Sequence, residues 1–155
     1  MNRIKVIDTK YATGRLREIY DDIIEKRGKL ADVHKIQSLR PESIVKHMDL
    51  YIEIMFTKSE LSRAEREMMA VIVSDYRKAG LNERELNLCN YAEMLTGFPG
   101  KFKDDSLINN LKFIGLSDTG ILDSTLVIAY FNFVNRIVLA LGVETNESEI
   151  QGYKF

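Results

Sequence analysis

The sequence predicts an all-α protein, a single-domain bundle of about six to seven helices spanning residues 1–155. Three observations predict it. Only 9 glycines and 2 prolines occur in 155 residues, and they cluster at a few points instead of recurring at every strand length. Apolar residues recur at three- and four-residue spacing along most of the chain, the period of one helix face. Two helix-start signals, a Ser or Asn with Glu three residues later, stand in front of such apolar patterns.

The first helix is expected over about Thr13–Arg27, where Leu16, Ile19, Tyr20, Ile23 and Ile24 share a face and Gly28 can end it in the left-handed region. Asp32–Ser38 offers one further helical turn. Pro41 suits the first turn of a second long helix, with Ile44, Val45, Met48, Tyr51, Ile52 and Met55 inward. Ser62 and Glu65 form a capping box for a helix carrying Met68, Met69, Val71, Ile72 and Val73 inward. Asn82 opens the next, which buries Leu88, Tyr91, Ala92 and Leu95 before Gly97 and Pro99 stop it. Another follows over about Asp104–Ile114. The last runs from Ser117–Asp118 to about Leu141, apolar nearly all round as for a segment buried between helices, with Gly142 to end it.

Composition sets limits on function. Hydrophobic residues make up 45% and charged residues 29%, which is the composition of a folded globular chain. Lys plus Arg total 22 against 23 Asp plus Glu, with no basic block, so neither a nucleic-acid partner nor an electrostatically held membrane is expected. The amino terminus lacks an apolar signal core, and the runs Leu126–Phe131 and Ile137–Val143 are too short for a membrane span, so a cytoplasmic location is expected. The single cysteine, Cys89, excludes an intramolecular disulfide and a multi-thiolate zinc site. His34 and His47 fall in different elements. Neither they nor Glu53 and Asp49 make a His-x-x-x-His or Glu-x-x-His spacing, so no metal site is expected.

Three stretches, ATGRLREIY (12–20), LSRAEREMMAVIVS (61–74) and AYFNFVNR (129–136), with YAEMLT (91–96), resemble the AhpD-like alkylhydroperoxidase family of the carboxymuconolactone decarboxylase superfamily. The likeness runs from near Ile4 to about Val143. It implies an all-helical, antioxidant, homo-oligomeric subunit that reduces hydroperoxides with a thiol or dithiol reductant. It also implies a Cys-x-x-Cys pair, a downstream His and an upstream Glu, with no haem, flavin, metal or other cofactor. One thiolate attacks the peroxide oxygen and becomes a sulfenic acid; the second thiol condenses with it to a disulfide.

The chain departs from that pattern at the chemistry. In the family the Cys pair follows the segment matching Val71-Ile72-Val73-Ser74, whereas here Asp75-Tyr76-Arg77-Lys78-Ala79-Gly80 follows and resembles the region beyond the motif. A segment between Ser74 and Asp75 is missing, by absence from the protein or because the numbering runs continuously over omitted residues. With a genuine join, one helix of roughly 27 Å continues from Ser62 to about Ala79, and the Ser74–Asp75 Cα separation is about 3.8 Å.

The resemblance matches Glu67 to the relay carboxylate; the competing reading is a solvated carboxylate paired with a nearby Arg. Asn132, Asn135 and Arg136, at i, i+3 and i+4, project as one polar strip. They either bond loop carbonyls, helix ends or a neighbouring subunit, or line a peroxide pocket or interface. Cys89 lies outside the family's motif and reads as a small buried hydrophobe; a one-cysteine peroxidase needs an exposed thiolate beside positive charge. Two functions follow: a thiol-peroxidase-family subunit without its catalytic segment, or a catalytically silent helical homo-oligomer that binds a partner. The apolar helices also predict self-association.

Overall fold

The computed structural model describes residues 2–70, 80–101 and 105–143, and every regular element there is helical. In chain order these are α1 (Gly14–Arg27), α2 (Asp32–Lys35), α3 (Pro41–Phe56), α4 (Arg63–Ala70), α5 (Glu83–Gly97), α6 (Ser106–Phe113) and α7 (Asp118–Leu141), with 3-10 turns at Thr9–Tyr11 and Pro99–Lys101. The all-α class expected from periodicity is the one observed. Val71–Val73, the Ser74–Asp75 join and the continuation of α4 to Ala79 lie outside the described residues.

The described residues form two compact units, one from the first 50 residues with those from Val134 onward, the other spanning Tyr51–Phe133. In the first unit α1 starts and stops as its sequence dictates. Gly28 takes φ 74° and its N–H donates to Ile24 O at 2.8 Å, which only a residue without Cβ does cheaply. Leu16, Ile19, Tyr20 and Ile23 face inward. The Tyr20 hydroxyl, fully enclosed, donates to Ile7 O at 3.0 Å, and Ile7 N–H donates to Ser38 Oγ at 2.9 Å. The amino-terminal strand of chain is thus pinned to α1 and to the turn after α2.

Arg3 closes the carboxyl end of α7. Its backbone N–H donates to Leu141 O at 2.9 Å, and its Nη1 donates to Leu139 O at 2.8 Å and Ala140 O at 3.0 Å. A guanidinium there satisfies helix-end carbonyls and opposes the negative end of the helix dipole. Gly142, at φ 65°, lets Val143 N–H reach back to Val138 O at 3.0 Å, the bond pattern of a Schellman end.

The second unit is built around three helix starts. Ser62 and Glu65 make the expected capping box, with Glu65 N–H to Ser62 Oγ at 3.2 Å and Ser62 N–H to Glu65 Oε2 at 2.7 Å. Asn82 and Glu85 make a second, at 3.0 and 2.9 Å. Glu60 holds the third: its Oε2 accepts from Ser117 N–H at 3.0 Å and its Oε1 accepts from the Ser117 hydroxyl. Gly120 leaves room for this, since a Cβ there would lie 2.5 Å from Glu60 Oε2. Helix α4 packs on α5, and α5 on α6, around Leu88, Leu111, Val127 and Ile128.

Three expectations change. Ile24, expected on the inner face of α1, is 38% exposed at the edge of that face. In α3 the inward stripe is Ile44, His47, Met48, Ile54 and Met55, whereas Ile52 is 40% exposed. Ile44, His47 or Met48, Tyr51, and Ile54 or Met55 follow a 3.6-residue period, and Ile52 falls just past its edge. Helix α7 is not buried all round. Gly120, Ile121, Ser124, Val127, Ile128 and Tyr130 face inward, while Leu122, Leu126, Phe133 and Leu139 are exposed. It is also long and apolar enough to cross a membrane by length and composition, with a mean hydropathy of 1.5 over its most apolar window. The short-run argument overlooked this, because Asn132, Phe133, Val134, Asn135 and Arg136 carry one continuous helix from the first run into the second.

Candidate functional site

Glu67 occupies the outward side of α4, opposite Arg66 and Met69, which face the core. Its Oε1 lies 2.7 Å from Arg63 Nε, one turn earlier, and both side chains are about half exposed. The solvated ion-paired geometry weighed from the sequence is the one observed. The pair does not stand alone, because the Arg63 guanidinium carbon sits 4.3 Å from the centre of the Phe56 ring, a cation–π placement.

From Phe56 an aromatic series leads on to α7. Phe56 meets Tyr51 edge-on at 5.6 Å, Tyr51 meets Tyr130 at 5.8 Å, and Tyr130 meets Phe131 edge-on at 5.1 Å between ring centres. Such spacings stabilise ring pairs beyond their buried area. The carboxylate of Glu67 is thereby placed at the end of an ion pair resting on an aromatic wall built by α3 and α7. This arrangement can hold a carboxylate in position beside apolar surface.

Asn132 lies on α7 one turn after Ile128. Its Nδ2 donates to Thr96 Oγ1 at 2.9 Å and to Ile128 O at 3.0 Å, so it clips α7 to the carboxyl end of α5. Asn135 and Arg136 follow on the same helix and are exposed. The i, i+3, i+4 spacing places the three along one side, and Asn132 makes a helix-to-helix bond of the kind weighed for a structural residue.

Cys89 is fully enclosed within the core on α5. Burial, and then the charge of Glu85 one turn away, push its thiol up to about 11. A thiol with that pKa is almost wholly protonated at neutral pH and is a poor nucleophile. The buried-hydrophobe reading of Cys89 is the one the structure supports.

Two buried polar groups escaped the sequence reading. Arg66 is 5% exposed. Its Nη1 donates to Ile54 O at 2.9 Å, and its Nη2 donates to Thr57 O at 2.9 Å and Leu61 O at 3.2 Å, gathering the end of α3 and the loop into α4. Its Nε has no partner among the described residues. Position gave a signal, since Arg66 lies three residues before the inward Met69.

His34 and His47, assigned to separate elements, are packed together. The rings meet edge-on with centres 4.9 Å apart, both buried. Gln37 Nε2 lies 2.7 Å from His47 Nδ1 and also donates to Val33 O at 2.7 Å. Burial first, then the neighbouring charges of His47 and Arg27, push His34 down to about 3; burial alone pushes His47 down to about 4. Among the described residues no three His, Cys, Asp or Glu side chains converge on a common point.

No protein-family model matches the chain, and no curated protein matches it in sequence. Solved structures do match. One, an uncharacterised peroxidase-related protein from Ralstonia eutropha JMP134 described as an alkylhydroperoxidase AhpD core, superposes with TM-score 0.80 at 17% identity, over 95% of this chain and 93% of its own. Another, an uncharacterised peroxidase-related protein from Silicibacter sp. TM1040, superposes with TM-score 0.81 at 21% identity, over 95% and 93%. At such coverage this chain has the all-α fold of the AhpD-core, peroxidase-related proteins.

Proposed function

We propose that this chain is an AhpD-like thiol-peroxidase-family subunit whose peroxide-reducing thiols belong to a segment inserted between Ser74 and Asp75 in the parent protein. The observation that carries the reading is the fold likeness over 95% of the chain to peroxidase-related proteins. The position of Glu67, on the helix that leads into the missing motif, adds to it.

In the parent, one thiolate attacks the distal oxygen of a hydroperoxide, releasing the alcohol and leaving a sulfenic acid. The second thiol displaces water to form a disulfide, and a dithiol reductant returns both thiols. Glu67 passes protons to the leaving oxygen. The chemistry uses no haem, flavin or metal. The subunits assemble as a homo-oligomer and serve as a cytoplasmic antioxidant. This chain, whose sole thiol is enclosed and protonated, does not itself turn over peroxide.

Intact mass and peroxide consumption together test the proposal. A preparation at 17.8 kDa is expected to consume no hydroperoxide with a small dithiol. A heavier parent carrying the segment is expected to consume it, and to stop when either paired cysteine becomes serine. Turnover by the verified 17.8 kDa chain that Cys89→Ser abolishes would overturn the assignment, as would an inactive parent with both thiols present.

A further inference from the structure

His34 on α2 and His47 on α3 are 3% and 4% exposed, with ring centres 4.9 Å apart. The side chain of Gln37 settles where His47 holds its proton. Its Nε2 donates to Val33 O at 2.7 Å and lies 2.7 Å from His47 Nδ1. An amide nitrogen carries two hydrogens and accepts none, so both are given outward and His47 Nδ1 is the bare, accepting nitrogen. The neutral ring therefore carries its hydrogen on Nε2. Turning the amide over would set Gln37 Oε1 against Val33 O, two acceptors face to face, so the backbone fixes the orientation that His47 meets.

We propose that Gln37 and His47 form an acid-released latch: a proton taken by His47 Nδ1 breaks the bond to Gln37 and frees the turn after α2, and with it the amino-terminal stretch, while the second unit keeps its fold. The proton turns an acceptor into a donor facing a donor, and neither orientation of the amide then serves both Val33 and His47. Gln37 belongs to that turn, where its N–H donates to His34 O at 3.0 Å. The next residue, Ser38, is 1% exposed, and its Oγ accepts from Ile7 N–H at 2.9 Å while Ile7 O accepts from the Tyr20 hydroxyl at 3.0 Å. One proton thus unfastens the turn that anchors residues ahead of α1.

The surrounding charges leave the closed latch intolerant of that proton. From α1, the cation of Arg27 acts on His34. Asp32 and Lys35 of α2 pair with each other at 2.7 Å, as Lys46 and Asp49 of α3 do at 3.6 Å. Asp8, in the amino-terminal stretch, accepts from Lys10 N–H at 3.2 Å. These carboxylates are committed to cations or backbone of their own. His34 Nδ1 is buried with no partner among the described residues, and a charge on either ring repels one on the other. Burial, joined at His34 by His47 and Arg27, holds the rings down at about 3 and about 4, against an ordinary 6.5. The opened state takes up protons first, so opening grows below that pH by up to about tenfold per pH unit for each imidazole.

Imidazole NMR and amide hydrogen exchange test the latch. At neutral pH the wild-type chain is expected to show His47 as the Nε2–H tautomer; the Nδ1–H tautomer would overturn the proposal. As pH falls from 6.5 to 4.5, the protection of the Ile7 and Gln37 amides is expected to drop by up to about tenfold per unit for each ring and to lie well below that of Leu88 in α5. Unchanged protection at Ile7 and Gln37 would overturn the latch, and so would exchange there as slow as at Leu88, since the whole chain would then open together. His47→Asn, which keeps an acceptor but does not titrate, is expected to flatten the fall by up to about tenfold per unit; an unaltered fall would remove His47 as the reader. Gln37→Glu reverses the polarity of the bond, so His47 is expected to hold its proton at least about one pH unit higher than in the wild type. A His47 titration that ignores this change would show that Gln37 does not hold the ring.

Discussion

Arg84 and Glu65 form a largely enclosed ion pair that joins the first turn of α5 to the first turn of α4, with Nε 2.5 Å from Oε1 and side chains 32% and 12% exposed. The same carboxylate completes the Ser62 capping box through its other oxygen, and Arg84 Nη2 also donates to Glu60 O at 3.0 Å. One acidic side chain thus serves as cap and as helix-to-helix tie.

Replacing Arg84 by Met is expected to cost about 1–3 kcal/mol, because it strands a largely enclosed carboxylate and the Glu60 carbonyl. Burial pushes the Glu65 carboxyl up, but Arg84 and the Ser62 bonds outweigh it and leave the group below its ordinary 4.5. A lowered carboxylate stabilises the fold above its unfolded pKa and loses that contribution as pH falls through the folded value. Urea unfolding at neutral and acid pH should therefore show the Arg84→Met deficit shrinking in acid.

Arg66 makes a harder demand. Its guanidinium satisfies the carbonyls of Ile54, Thr57 and Leu61 at once. Arg66→Leu is expected to lose about 2–4 kcal/mol by leaving those buried acceptors unpaired. Arg66→Lys should recover less than half of this, since a single ammonium lacks the spread of a planar fork. Thermal and urea unfolding of both variants checks the order.

The buried imidazoles predict acid sensitivity in the first unit. His34 and His47 are held neutral to about 3 and about 4, from an ordinary 6.5. The unfolded chain takes up protons at 6.5 while the native chain does not, so this part of the stability is whole above that pH and falls away below it. The unfolding free energy is expected to fall from 6.5 toward 4 with a slope of up to about two protons, and His47→Gln should remove up to one of them. A flat profile through that range would contradict the burial of the pair.

Cys89 should behave as part of the core. The native chain is expected to resist a thiol reagent and dilute hydrogen peroxide at neutral pH, with labelling appearing only on unfolding; mass spectrometry reads both. Cys89→Ala should cost about 1 kcal/mol through lost packing.

Glu67 is exposed and bonded to an equally exposed Arg63, so Glu67→Gln is expected to shift stability by less than about 0.5 kcal/mol. That near neutrality lets a loss of turnover from the same substitution in the parent protein be read as chemistry. Parallel unfolding and peroxide-consumption curves test it.

Much was legible because it is local. The capping boxes at Ser62 and Asn82, the left-handed Gly28 and Gly142, and the proline that opens α3 depend on residues within four positions, so the sequence alone predicts them. The inner stripe of α1 follows its period for the same reason. The polar strip on α7 was legible as a spacing, but its partners were not: Thr96 lies 36 residues from Asn132, and nothing in either neighbourhood announces the bond.

By itself the sequence determined that the chain is helical, where most helices begin and end, and that its one thiol cannot form the family's internal disulfide. Tertiary structure decided that Arg66 is buried, that His34 meets His47 and that α7 turns one apolar face inward and another outward. The physical reason is range. Caps and periods arise from bonds between near neighbours, whereas burial is a property of what packs against a surface, and an apolar face has the same pattern whether a helix covers it or not.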